Sequence, residues 1–586
     1  MSASSSRAVA TWVSFARARG PRSHSEQAAV LASAVAVGSS FEPGLLPRST
    51  SDQVLVTSAS ALTVLSLVTL GASVARLAGN AAARVTRRRH PLDSARMTEP
   101  LAQGSAAVFP AAIALVTKQL GDITRRATSY DETQTMPESP RQSVVVAAGV
   151  GVGTVGVQAL ERAVAGAVGR RIHGRFPGYD LEANVVGHAA PLLVAAGVLA
   201  AGYVVAARQA ERAATVTEPA YATLPESPYV TGGPGSAVPF ATLAREGRRF
   251  TSKVVSRGEI EEVMGKPAKA DPIRAFVGFQ TAPSMAERVA ILMAELERMG
   301  AFERDLLILV SPTGSGYINY VAAEAVEYLT LGSSVIFGVG YSVLPSLMSM
   351  RQTDLAVAQN RAVLDAVSTR LRAIPEQRRP RLVAYGESLG ANTLQDVWCG
   401  EGVAGLQRDG VAAALFLGTP AAGRFAREWR AEPQRMDPQG LLIEVDSFQE
   451  YQALCAAQSN FREREADSQG KCGRYVLLTH HDDPVAKFER RLLVRKPGWL
   501  GAPASRPQGV PKSPRWWPGT TFMVTAADVV NATSLTPGHF SRRGHDYRED
   551  IARFVSAVYH LPATDSQLAA VEKALRDQEK YWAARK

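Results

Sequence analysis

The chain has 586 residues, 46% hydrophobic and 20% charged, with a formal net charge of +11. This composition is globular or membrane-like and excludes a disordered or fibrous chain. The basic excess sits in short clusters beside apolar stretches, Arg84 with Arg87-Arg88-Arg89 and Arg170-Arg171 with Arg175, a placement that argues for membrane orientation and against nucleic-acid binding.

In chain order, residues 1–26 are rich in Ser, Ala and Arg and read as a disordered or targeting-like N-terminus. Over 27–210, apolar runs predict a transmembrane domain of four to five helices. Val54–Val74, Val144–Leu160 and Ala189–Ala207 are its strongest members, Ala106–Leu120 is less apolar, and Ala28–Val37 is short against the roughly 20 residues a bilayer core needs. The runs are rich in small residues, which suits helix packing in lipid, and they lack the polar stripe of a soluble surface helix. With the loops at 84–96 and 162–175 on the cytoplasmic side, the expected location is the cell membrane, with the rest of the chain extracytoplasmic.

Pro219, Pro225, Pro228, Gly232-Gly233-Pro234 and Pro239 mark a linker over 211–269. Strand and helix patterns then alternate. Strand-like runs are Ile273–Val277, Leu306–Val310, Ser334–Val339, Leu382–Tyr385, Ala412–Leu417, Tyr475–Thr479 and Thr521–Val524; helical patterns include Met285–Met299 and Thr353–Ala373. Such alternation predicts an α/β domain over 270–562, a largely parallel sheet with helices on both faces, and a helical tail over 563–586. Pro497–Pro518, with Trp499, Trp516 and Trp517, reads as a long loop, either a lid over a site or an ordinary surface loop.

Gly386-Glu387-Ser388-Leu389-Gly390 carries the chemistry. It joins the strand ending at Tyr385 to a helical segment, and Gly386 and Gly390 permit the tight turn that would hold Ser388 as an exposed nucleophile. Acyl transfer at a serine also needs a base, an acid behind the base, and donors for the oxyanion. His545, freed by Gly544 and anchored by the following helix, is preferred as base over His539. Asp483, after a strand and before Pro484, is preferred as acid; Asp482 stays open beside it, and Asp446 is a weaker third. Serine, acid, histidine is the chain order of α/β-hydrolases. One oxyanion donor would be the Leu389 amide and the other Thr313 or Gly314, in a Gly-rich loop that lacks the Gly-Lys-Ser/Thr ending of a nucleotide-binding loop. Glu387 reads as a supporting or solvated group, and Tyr317 and Tyr341 as pocket or core residues.

No metal site is expected. Cys399, Cys455 and Cys472 lack ligand spacing, although Cys455 and Cys472 could form a disulfide. The run His480-His481-Asp482-Asp483 places neighbours on opposite sides of an extended segment, where they do not converge on one ion. No cofactor is needed either.

These motifs resemble the actinobacterial integral-membrane α/β-hydrolase family, in which a helical membrane domain precedes an α/β-hydrolase catalytic domain. The resemblance rests on Phe41-Glu42-Pro43-Gly44-Leu45-Leu46-Pro47-Arg48 with Gln53, Pro312–Tyr317, Tyr341–Ser346, the serine elbow, Gly418-Thr419-Pro420, Asp482–Val485 and Gly544–Arg548. Ser315, Tyr317 and Val343 depart from the family pattern at pocket positions. What the resemblance implies is a serine hydrolase with nucleophile Ser388, acid Asp483 and base His545. The expected function is a membrane-anchored esterase or lipase acting on a lipid or acyl ester beside the bilayer. The alternatives are an envelope acyltransferase with the same triad, and a membrane scaffold or transport-associated protein without chemistry.

Overall fold

The computed structural model describes residues 24–64, 105–132, 211–214, 216–462, 473–532 and 535–585, with isolated positions between 67 and 209. They fall into two compact units, one of residues 1–202 with 488–531, the other of 203–487 with 532–586.

In the first unit, helix α1 (His24–Ser39) packs on helix α2 (Ser105–Ser129) and buries Ala29, Val30, Ala36 and Val37. The Phe41–Arg48 stretch is wrapped by chain from 488–531. The Glu42 carboxylate accepts from Arg126 at 2.6 Å and from Trp517 Nε1 at 3.2 Å, and Asp528 accepts from the Leu45 amide at 2.8 Å. The Pro-rich stretch thus belongs to this unit. Thr521–Val524, expected as a strand, lies in the helix Thr520–Asn531. A four-residue run is too short to show a period of its own, and here the Thr525 hydroxyl bonds the Thr521 carbonyl one turn back.

Among the described residues no helix is long and apolar enough to cross a membrane. This overturns the expected all-α transmembrane domain over 27–210 and the integral-membrane location, from which the extracytoplasmic placement had been read. α1 has 16 residues, about 24 Å at 1.5 Å per residue, short of a hydrocarbon core of roughly 30 Å. α2 contains Ala106–Leu120 but runs on through Asp122, Arg125 and Arg126, with Pro110 inside it. The run Val54–Val74 is helical over 54–64, in a helix that begins at residue 50, and its buried face holds polar Thr57 and Ser60 beside Val56 and Ala61; Gln53 donates to Thr57 Oγ1 at 2.9 Å and to Ser40 O at 3.1 Å. Residues 1–23 and the runs Val144–Leu160 and Ala189–Ala207 lie outside the described residues.

The second unit is built on seven parallel strands: β1 (Ile273–Val277), β2 (Leu306–Ser311), β3 (Ser334–Val339), β4 (Arg381–Glu387), β5 (Val411–Leu417), β6 (Leu442–Val445) and β7 (Tyr475–Leu478). Their order across the sheet is β1-β3-β2-β4-β5-β7-β6. β1, β2 and β3 are buried along their whole length, as the strands of a parallel sheet covered on both faces are. After β2 the chain steps to one side and after β3 it returns to the other, so the topology switches between β2 and β4. A ligand crevice forms outside the strand ends at such a point.

The stretch 211–269, read as a linker, is folded onto this sheet. Helices α3 (Ala244–Ser252) and α4 (Arg257–Met264), the latter with a Ser256–Glu259 capping box, send Phe250, Ile260 and Met264 into the core, and Val230 pairs with Arg274 of β1. Arg274 and Glu327, both fully buried, form an ion pair at 2.6 Å that joins β1 to helix α5 (Tyr320–Leu329). A short helix α6 (Leu389–Gln395) follows β4, and α7 (Ile551–Val558) and α8 (Asp565–Ala583) close the chain. α8 is no tail, since Val571 and Leu575 are fully buried in the same core. Cys399 is free, Cys455 is disulfide-bonded, and Cys472 lies outside the described residues.

Candidate active site

β4 runs into α6 through Ser388, whose backbone has φ 55° and ψ −126°. A positive φ at a residue with a Cβ is strained and persists only where its surroundings hold it. Here the Ser388 amide donates to Leu417 O at the end of β5, 2.8 Å away, and the Ser388 carbonyl accepts from the Asn392 amide at 3.1 Å. The flanking glycines are required by close approach. A Cβ at 386 would lie 2.7 Å from Ala391 Cα, and one at 390 would lie 2.2 Å from Ser311 O.

Strand register pairs Ser311 with Gly386, which sets the Gly-rich loop after β2 beside the elbow. That loop is closed by two backbone bonds of 2.9 Å, Thr313 N–H to Tyr317 O and Gly316 N–H to Thr313 O. The Thr313 amide is therefore engaged. Gly314 sits where a Cβ would meet Ser349 Oγ at 2.3 Å. Leu389 packs with Tyr341 and Ala356, and the buried Tyr341 hydroxyl has no hydrogen-bond partner. Tyr317 packs edge-on against Tyr320 with centroids 6.3 Å apart. Glu387 accepts from Asn319 Nδ2 at 2.5 Å and from the Tyr385 hydroxyl at 3.1 Å; burial pushes its carboxyl above the ordinary value, and the Asn319 bond pulls the other way.

On the loop before α7, His545 Nδ1 lies 2.8 Å from Asp483 Oδ2. A carboxylate only accepts, so Nδ1 carries the proton and Nε2 is left as the basic nitrogen. Nε2 is buried and has no hydrogen-bond partner. Burial opposes a charge on this imidazole, but the Asp483 charge and hydrogen bond outweigh it and hold the pKa above its ordinary value. Asp483 is fully buried. Its Oδ1 accepts from the Val485 amide at 2.8 Å, and its Oδ2 also accepts from the Tyr547 hydroxyl at 2.6 Å. Burial, with the Asp483 charge beside it, keeps that phenol protonated and hence a donor. β5 joins the two halves of the site: Leu417 holds the Ser388 amide, and at Gly418 (φ +56°) a Cβ would stand 2.5 Å from His545 Cε1.

The rival residues find other partners. Asp482 accepts from the Gly544 amide at 2.8 Å and from Arg543 Nε at 3.1 Å, pinning the loop that bears His545. Asp446 is bonded by the His481 amide, and His539 is exposed. His480 stacks on Tyr547 and donates from Nδ1 to Gly544 O at 3.0 Å. The His480–Asp483 run thus turns its side chains to separate neighbours, and among the described residues no group of three or more His, Cys, Asp or Glu is placed to hold a metal ion.

A hydroxyl on a strained elbow, an imidazole held in one tautomer by a buried carboxylate, and backbone amides next to the elbow are the group types that nucleophilic acyl transfer uses, and His545 Nε2 makes no hydrogen bond to Ser388. Sequence reasoning assigned no role to Tyr547, Gly418, Asn319 or Arg548, although three of them lie in the Gly544–Arg548 and Gly418–Pro420 motifs it singled out.

Residues 273–571 match the model of an alpha/beta-hydrolase family, and residues 41–254 match that of the alpha/beta-hydrolase family N-terminus. The matches support the hydrolase part of the expected resemblance and lend nothing to its membrane or actinobacterial part. No curated protein and no solved structure matches the chain significantly.

Proposed function

The chain belongs to the alpha/beta-hydrolase family, and on that premise we propose that it is a serine hydrolase that cleaves acyl esters through a covalent acyl-enzyme. The carrying observation is the 2.8 Å contact between His545 Nδ1 and Asp483 Oδ2, with Nε2 unpartnered. Ser388 Oγ attacks the ester carbonyl carbon and gives its proton to His545 Nε2. The Asp483 carboxylate stabilises the imidazolium that forms. The carbonyl oxygen, now an oxyanion, accepts from the amides of Leu389 and Gly314; the Thr313 amide is already committed to Tyr317 O. Collapse expels the alcohol, which takes the proton from Nε2. Water then attacks the acyl-enzyme, passing a proton to Nε2, and Ser388 recovers it as the acid departs.

A fluorophosphonate probe tests this reading. The expected adduct lies on Ser388 and is absent from Ser388→Ala. A wild-type protein that does not react, or a variant that labels as fast as wild type, would sink it. Esters of graded acyl length then rank the substrates.

A further inference from the structure

Glu579 lies in α8, beyond residue 571 where the family match ends, and its carboxylate is 4% exposed. Three separate pieces of the second unit share it. Oε2 accepts from Arg548 Nη1 at 2.5 Å and from the Gly538 amide at 2.8 Å, and Oε1 accepts from the Tyr320 hydroxyl at 2.8 Å.

Two of these bonds lead to the candidate site. The Arg548 guanidinium, also buried, donates from Nε to Asp546 Oδ1 at 2.8 Å, and from Nη2 to Asp546 Oδ2 and to the His539 carbonyl, each at 2.9 Å. It therefore clamps the chain on both sides of His545. Tyr320 opens α5, and the N-cap of that helix is Asn319, which donates to Glu387 next to Ser388. One carboxylate ties the loop bearing the base to the support of the elbow.

We infer that Glu579 is a positioning residue for His545, and that α8 is part of the reactive apparatus; the catalytic side of this inference rests on the proposed acyl-transfer role of His545. Without the Glu579 charge, Arg548 is left buried with Asp546 as its remaining carboxylate in this network, and a buried guanidinium in that state pulls its surroundings into a new arrangement. Reacting groups tolerate little such movement, for a displacement of about 1 Å costs on the order of 100-fold in rate.

The test compares full-length Glu579→Gln with Val571→Ala, which loosens the packing of the same helix without touching the network. Two readouts are followed: the pH profile of fluorophosphonate labelling at Ser388, and the downfield proton resonance of His545 Nδ1–H, identified by its absence in His545→Ala. Glu579→Gln is expected to slow labelling by about tenfold or more, to move the midpoint of the profile, and to broaden the resonance. Val571→Ala is expected to keep the wild-type midpoint and resonance. Tyr320→Phe removes a single bond to Glu579 and carries the test if Glu579→Gln does not fold; slower labelling with a broadened resonance is expected of it as well. Wild-type behaviour of the resonance in the folded Glu579→Gln, or in Tyr320→Phe where that variant stands in, overturns the inference. An unreactive wild type whose resonance still depends on Glu579 sinks the acyl-transfer reading and leaves the positioning role standing.

Discussion

Asp483 Oδ2 is shared by two donors from one loop, His545 Nδ1 at 2.8 Å and the Tyr547 hydroxyl at 2.6 Å. The adjacent Asp482 turns to the Gly544 amide and Arg543. Two neighbouring carboxylates thus do different work, one on the imidazole and one on the loop that carries it. Asp483→Asn is expected to cut ester hydrolysis by about 10⁴-fold by presenting the wrong tautomer, whereas Asp482→Asn should stay within roughly tenfold of wild type because the imidazole keeps its partner. Steady-state rates of both variants check this, and equal losses would contradict the assignment.

Because Asp483 holds the His545 pKa above its ordinary value, the fraction of neutral base rises late with pH. Activity should increase with pH through a midpoint above about 6.5, the free-imidazole value. Stability runs the other way. A pKa raised in the folded state contributes stability that is fully present below the unfolded pKa and is lost as pH rises through the folded one. Rate and melting temperature across pH 5–9 measure both trends, and an activity midpoint below the free value would exclude His545 as the base.

Tyr547→Phe deletes a buried charge-assisted bond and is expected to lower stability by about 1–3 kcal/mol. It also leaves the Asp483 charge less satisfied and more attractive to the imidazolium. The activity midpoint should therefore move to higher pH, and a shift to lower pH would show that the phenol does not tune this pair.

Gly418→Ala places a methyl group 2.5 Å from His545 Cε1 at a positive φ. The imidazole must move, so a rate loss on the order of 100-fold is expected, together with about 1 kcal/mol or more of backbone strain. Chemical denaturation and ester hydrolysis report the two effects separately, and an unchanged rate would mean that the ring has room to spare.

Much of the sheet was legible because its strands are local signals: Leu306–Val310 reads directly as a continuous apolar run, and Ile273–Val277 and Ser334–Val339 as predominantly apolar ones. Gly386 and Gly390 announced the elbow because a turn that tight admits no Cβ at either place. The expected spans started from apolar runs, and an apolar run has the same hydropathy in a helix buried in protein as in one in lipid. α1 illustrates this, burying Ala29 and Val37 while the Ser39 hydroxyl donates to Thr520 Oγ1 across 481 positions of chain.

By itself, then, the amino-acid order determined the strand-turn-helix unit around Ser388 and the serine, acid, histidine succession, since both depend on neighbours in the chain. Bonding His545 to Asp483 and the Gly544 amide to Asp482, setting Gly418 against His545 and drawing Glu579 into the loop that bears His545 were decided only by tertiary structure. Each depends on which side chain meets which donor across tens to hundreds of residues, and a one-dimensional pattern holds no distances.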